Sequence, residues 1–347
     1  MAILALALGP AIGQAAPSGP TAGFKDWLVA CDNVRTCTAV GFAENAAVES
    51  GPHLFITRGG GGADRPEVEI GLGYSDAVEA LTDGERIEIG IDGPRALRFA
   101  MTIQRDEESY QGPVAVFPAE RTEAFLAALT QGSRMTVYKG DAVLGSASLN
   151  GSSAALRWID DRQKRAGTVT ALVARGGAPA SAVPAPPALP AVRLGPRLNQ
   201  ADLPKAPRAL LERADVRECA DNYEPDEVPA PHAVRLNATE YLWQIPCGAG
   251  AYNFNSLFVI ARADGTGARG PGFDIDETDH LINAEYDANT RILSSFYKGR
   301  GLGDCGVEAN FAWDGRAFQP VLIRQMDECL GVTAEHWPVV WRARTSG

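Results

Sequence analysis

Lys298-Gly299-Arg300-Gly301-Leu302-Gly303-Asp304-Cys305-Gly306 decides how the second half of this chain is read. Four glycines and a cysteine interrupt sequence that otherwise reads as strand. Arg291-Ile292-Leu293-Ser294-Ser295-Phe296-Tyr297 precedes it, and residues 307–311 and Trp313-Asp314-Gly315-Arg316 follow. Glycine supplies the backbone freedom that tight turns need, so hairpin is expected to follow hairpin, with Cys305 fixing the middle.

Working outward, the same pattern fills the C-terminal half. Residues 241–245 run as a strand into Cys247, and 251–260 alternate into another. Residues 281–286 are expected to face 291–297 across Asp287-Ala288-Asn289-Thr290. Asp314-Gly315 is a strong hairpin signal between 310–313 and 316–318. Residues 321–325 continue the meander, and Trp337-Pro338-Val339-Val340-Trp341 closes it as an edge strand, where proline is tolerated. A helix over 208–216 leads in. The N-terminal half reads alike. Apolar alternation on both sides of Asp32-Asn33-Val34-Arg35-Thr36 predicts a hairpin with cysteines at its neck. Strands are expected over 53–57, 67–72, 86–91, 97–103, 134–138 and 142–148. Helices are expected over 120–129 and 153–165, the second closed by Gly167. Gly59-Gly60-Gly61-Gly62 lacks the strand-to-helix setting of a phosphate loop and is taken as a flexible turn. Between the halves, Ala178-Pro179-Ala180-Ser181-Ala182-Val183-Pro184-Ala185-Pro186-Pro187 reads as a semi-rigid Pro/Ala spacer. The expected fold is mainly β with minor α: two antiparallel β-rich domains, 16–175 and 208–347, joined by the linker 176–207.

Charge and cysteines bound the setting. The 347 residues carry a formal net charge of −11, which argues against nucleic acid or anionic lipid as a partner. Residues 1–15 form a short apolar run ending in small residues, as in a secretory signal cleaved after Ala15. No Lys or Arg precedes that run, so the true start is expected upstream. The run is too short to span a bilayer, and an integral membrane protein is not expected. Six cysteines behind such a segment imply disulfides in an oxidising compartment, periplasmic or secreted. Chain order favours Cys31–Cys37, Cys219–Cys247 and Cys305–Cys329. A zinc site fails on spacing, since no Cys-x-x-Cys is present and the four histidines are scattered. Neither a metal nor a cofactor is expected.

Several motifs together resemble a known family. They are Phe24-x-Asp-Trp27, the Cys31…Cys37 hairpin, Cys247-Gly-Ala-Gly-Ala-Tyr-Asn253, Gly299-Arg-Gly-Leu-Gly-Asp-Cys305-Gly and Trp337…Trp341. This pattern is similar to an uncharacterised six-cysteine family of secreted proteobacterial proteins, a domain of unknown function. The resemblance covers nearly all of the chain beyond the signal segment and implies an exported setting, with no catalytic residue to carry over. Over a short stretch, the Asp-Trp…Cys opening also resembles the invasion-associated locus B family, which implies an envelope or host-facing role.

The Gly299–Gly306 loop is the leading candidate site. Its backbone N–H groups and the charges of Lys298 and Arg300 suit an anion. Against this stands a purely structural turn, held by Cys305 and by Asp304 bonded to backbone. Tyr252 and Trp313 are the aromatic partners assigned to the site. Trp243, Trp337, Trp341, Phe254 and Phe318 join them as a contact surface if exposed and as core if buried. The acidic stretch from Asp274 to Glu285 spaces its carboxylates like a calcium loop, but Asp279 stands where the turn demands glycine. There is no Gly-x-Ser-x-Gly elbow, and Asp264-Gly265-Thr266-Gly267 reads as a turn.

The expectation is therefore a non-catalytic envelope protein that binds a protein or a glycan. The alternative is a hydrolase of envelope polymers acting through loop carboxylates. Two facing carboxylates in a cleft, or a carboxylate beside a histidine, would favour the enzyme; a flat aromatic patch would favour the binder. The sequence does not disclose the oligomeric state.

Overall fold

The computed structural model describes residues 19–44, 51–94, 97–105, 112–224, 226–273 and 279–347. The expected signal segment, and residues 274–278 of the acidic stretch, lie outside the described residues.

The N-terminal half builds one antiparallel sheet of ten strands. Five run in chain order: Thr21–Phe24, Trp27–Cys31, Cys37–Gly41, His53–Arg58 and Glu67–Gly71. Val114–Val116, Leu97–Gln104, Arg86–Ile91, Arg134–Lys139 and Ala142–Ser148 follow in space. Cys31 sits opposite Cys37 in the hairpin formed by the second and third strands and is disulfide-bonded to it. The sheet curls until its last strand meets the chain leaving the third. The Glu44 N–H donates to the Ser146 carbonyl at 2.9 Å, and the Ser148 N–H to Phe42 at 3.2 Å. Such curling follows from the right-handed twist of strands. It encloses a core of Trp27, Ile56, Phe125, Met135 and Ile159. Helix Ser152–Arg162 buries Ala155, Leu156 and Ile159, a face set by the 3.6-residue period, and packs on the first three strands. Helix Thr122–Leu129 presents Phe125, Leu126 and Leu129 to the same core.

The carbonyls of the glycine run are engaged from behind. Arg165, buried, donates to the carbonyls of Gly59 (3.2 Å), Gly61 and Gly62 (2.9 Å). A Cβ on Gly62 would lie 2.4 Å from the Ala180 carbonyl; close approach, not mobility, requires the glycine. Behind the run Asp160 accepts the N–H groups of Leu172, Val173 and Ala174 at 2.7–3.0 Å and pairs with Arg58 at 3.0 Å. Burial, with Arg165 alongside, pushes the Arg58 guanidinium down to about 10.

The C-terminal half contains two antiparallel sheets. One orders His232–Arg235, Glu240–Ala249, Phe254–Arg262 and His280–Ile282; the other orders Glu285–Asp287, Ile292–Lys298, Gly306–Trp313, Phe318–Met326 and Val339–Arg342. The strand expected over 281–286 is two strands in two sheets. Asn283 breaks it with φ at 47°, a conformation that asparagine tolerates better than most residues. The expected helix over 208–216 is likewise two short ones, Arg208–Leu211 and Ala214–Ala220, separated by extended Arg213. Cys219–Cys247 ties the second of them to the first sheet, and Cys305–Cys329 closes the third bridge. No cysteine is free.

The Pro/Ala segment runs against both halves. Arg35 donates to the carbonyls of Pro184 (3.1 Å) and Ala185. Ala191–Arg193 pairs in parallel with Arg344–Ser346, and the Gly195 N–H donates to Trp313 at 2.8 Å. The halves also share apolar cores. Leu28, Val40, Phe42 and Phe55 pack with Cys305, Met326, Val332 and Trp337, while Ala30 joins a cluster with Val340 and Phe311. At the edge of this contact Asn33 and the Arg342 backbone exchange two hydrogen bonds of 2.9 and 3.0 Å, and Asp32 pairs with the Arg342 guanidinium. Among the described residues no helix is long and apolar enough to cross a membrane.

Candidate functional site

The glycine-rich loop caps the central hairpin of the five-stranded sheet. Gly306 adopts φ 137°, and a Cβ there would fall 2.0 Å from the Tyr297 carbonyl. The Gly303 N–H donates to Arg300 and the Gly299 N–H to Cys305 at 2.9 and 2.8 Å. Arg300 grips Asp304 through two bonds of 2.7 and 2.5 Å. Asp304 also accepts the Gly331 N–H at 2.7 Å. Burial alone would raise the Asp304 carboxyl, but Arg300 and the Gly331 N–H hold it below the usual carboxylate range. The loop's guanidinium is thus spent on its own buried carboxylate. That pair, with Cys305–Cys329, fixes the surface on which the N-terminal half sits.

Lys298 is partly exposed over the Phe296 ring. Its backbone exchanges two hydrogen bonds with the Asn253 side chain, at 2.9 and 3.2 Å. Asn283 adds bonds to the Tyr252 and Phe296 carbonyls, so the two hairpin tips are braced together. Tyr252, Phe254, Tyr297 and Leu302 lie exposed around them. The structure therefore brings Lys298, Arg300, Asp304 and Tyr252 together. Trp313 is corrected: at 1 % exposure it packs on Phe318 in the core and reaches no surface. Trp243 and Trp337 are buried as well.

Sequence reasoning missed a cleft of about 710 Å³ between the halves. One wall is Glu67, Glu69 and Val116 from the ten-stranded sheet; the other is Arg324, His336 and Arg342 from the C-terminal half. Phe55, Phe117 and Trp337 form an aromatic floor. Glu69 Oε1 and His336 Nε2 lie 2.7 Å apart across the cleft, and the imidazole stacks on Phe55 at 4.8 Å. His336 Nδ1 is buried without a hydrogen-bond partner. Arg324 is held by Glu308 at 2.9 Å and Arg342 by Asp32. Asp32 is nearly inaccessible; burial pushes its carboxyl up even though Arg342 opposes the shift. The cleft thus carries fixed guanidiniums, a carboxylate aimed by an imidazole, and Glu67, Gln104, Thr38 and Thr57 along its rim. No local motif announces it, because its walls lie some 267 residues apart in sequence.

A β-rich, disulfide-bonded chain with a polar cleft between its halves defines a class by architecture rather than by chemistry. By its family the chain is placed more closely: it belongs to the family described as "Protein of unknown function (DUF1176)", whose model matches residues 21–344. It is 29 % identical over 341 residues to the uncharacterized protein YpfG of Escherichia coli (strain K12), covering 92 % of each chain. A solved structure, that of invasion associated protein B from Bartonella henselae, aligns with 42 % of this chain and 99 % of its own at 16 % identity, with a TM-score of 0.30. At that score the likeness carries no argument.

Proposed function

We propose that the protein is a binding module of the cell envelope, acting in the periplasm or secreted, whose ligand is a glycan held in the cleft between the halves. One observation carries the proposal: a concave site in which polar groups converge from both halves over an aromatic floor. Small-molecule sites combine concavity, an aromatic or apolar lining and a few placed polar groups. Carboxylates accept from hydroxyl and amino groups, guanidiniums donate to carboxylates and ring oxygens, and both are present here. The complementary glycan therefore bears amino and carboxylate groups together, as amino-sugar strands with peptide stems do. The three disulfides fit the oxidising compartment in which such polymers lie.

Isothermal titration with a soluble peptidoglycan fragment tests the proposal. Glu69→Gln removes a charge-assisted bond, worth about 1.5–3 kcal/mol, so affinity is expected to fall by about ten- to a hundredfold. Unchanged affinity, or no binding by the unaltered protein, would count against the cleft.

Hydrolysis is the second reading, and the Glu69–His336 pair favours it as a carboxylate beside a histidine. The geometry limits that reading. One imidazole nitrogen is engaged by Glu69 and the other is buried, so His336 orients Glu69 and offers no nitrogen to a ligand. Release of smaller fragments during the titration, abolished by Glu69→Gln, would establish the enzyme.

A further inference from the structure

The cleft does not end at its rim. Pro66, Ala119 and Thr122 line it, and the same three residues line a second cleft of about 440 Å³ on the other side. The second cleft lies wholly within the N-terminal half, between the 63–66 turn, the start of helix Thr122–Leu129 and residues 169–172. Its lining repeats the mixed chemistry of the first: Asp64 and Arg65 from the turn, Glu120 and Glu123 from the helix start, and Arg175 opposite. Arg175 and Glu123 meet at 2.7 Å, both well exposed.

The saddle between the clefts is firm. Thr122 Oγ1 donates to the Pro118 carbonyl at 3.2 Å, and the Phe117 N–H donates to Val68 at 2.8 Å. The far wall is anchored too: Arg58 donates to the Thr170 carbonyl at 2.7 Å, and Asp64 accepts the Gly61 N–H at 2.7 Å. Neither wall needs ordering when a ligand arrives, so its contacts are gained without that entropic cost.

We propose that the two clefts form one groove and that the ligand is a linear polymer, read over several sugar units across the Pro66–Ala119–Thr122 saddle. This rests on the glycan reading of the first cleft and extends it. A ligand confined to the first cleft leaves Arg65, Arg175 and Glu120 in water; a longer strand continues over the saddle onto them.

The experiment is calorimetric titration of the full chain with soluble peptidoglycan fragments of one and of three disaccharide units. The longer fragment is expected to bind at least about tenfold tighter. Val169 is 53 % exposed in the second cleft, and Val169→Trp fills that space from the surface. The variant should erase the gain for the longer fragment and leave the shorter one unaffected; Arg65→Ala should reduce the gain in the same direction. Equal affinities for both fragments, or a Val169→Trp protein that keeps the length preference, would overturn the continuous groove while leaving the first cleft intact. Absence of binding by either fragment would overturn both readings at once.

Discussion

At the scale of single residues, Arg300 separates two accounts of the glycine-rich loop. A ligand-binding arginine is dispensable for folding, whereas this one neutralises a carboxylate that is 4 % exposed and also engaged by the Gly331 N–H. Arg300→Ala strands that charge. Cutting one partner from a buried pair costs about 3–5 kcal/mol. The Arg300 side chain is 35 % exposed, and discounting for that screening leaves about 2 kcal/mol. In thermal denaturation the variant is expected to melt a few degrees lower, and Arg300→Ala with Asp304→Asn together to recover part of the loss. An unchanged melting temperature would return the loop to the status of an open anion site. The sequence already held the pieces of this answer, since Asp304 bonded to backbone was one of its two readings. It could not choose between them, because Gly331, the partner that decides, is 27 residues away.

At the scale of elements, hairpins were the most legible features. Each turn signal is local: Asp314-Gly315 does turn the chain between Gly306–Trp313 and Phe318–Met326, with Gly315 at φ 96°. The three cysteine pairs favoured by chain order are the three bridges formed. What failed was sheet membership. Residues 280–287 alternate as one strand should, but the φ of Asn283 passes the chain from one sheet to another, and periodicity carries no record of that hand-over. The Pro/Ala segment runs between the two halves. Its composition is that of a spacer, but parallel pairing of Ala191–Arg193 with Arg344–Ser346 and the Arg35 bonds hold it along both halves. We expect a protease that cleaves after alanine to spare residues 178–191 in the native protein and to cut them once Arg344–Gly347 are deleted. Rapid cleavage of the intact protein there would mean that the segment is a free tether.

At the scale of the molecule, the shared apolar contact decides how the halves behave. Phe42, Phe55, Met326 and Trp337 belong to one cluster, so calorimetric unfolding is expected to show one cooperative transition, with Phe55→Ala lowering it as a whole; two separate transitions would mean independent halves. The same contact makes stability depend on pH. His53 is 1 % exposed, and burial pushes its imidazole down to about 4; His336 adds to that shift, while the Gly331 backbone and the Asp304 charge oppose it. The Ala43 N–H donates to its Nδ1, and Glu69 engages the neighbouring His336. With the folded value below the unfolded one, the unfolded chain takes up the proton first, so stability falls as pH drops from about 6.5 towards 4, by about 3 kcal/mol in all. His53→Asn should flatten that slope in urea titrations across the same range. Asp304 adds acid sensitivity that sets in as pH falls through the usual carboxylate range and continues below it, because its carboxyl is held down in the folded chain. The central claim, that the space between the halves is the working site, is tested most directly by amide hydrogen exchange on the full chain with and without the three-unit peptidoglycan fragment. The account predicts new protection at residues 67–69, 116–119 and 335–342. Protection confined to the hairpin tips at 250–254 and 299–304, or none at saturating fragment, would contradict it.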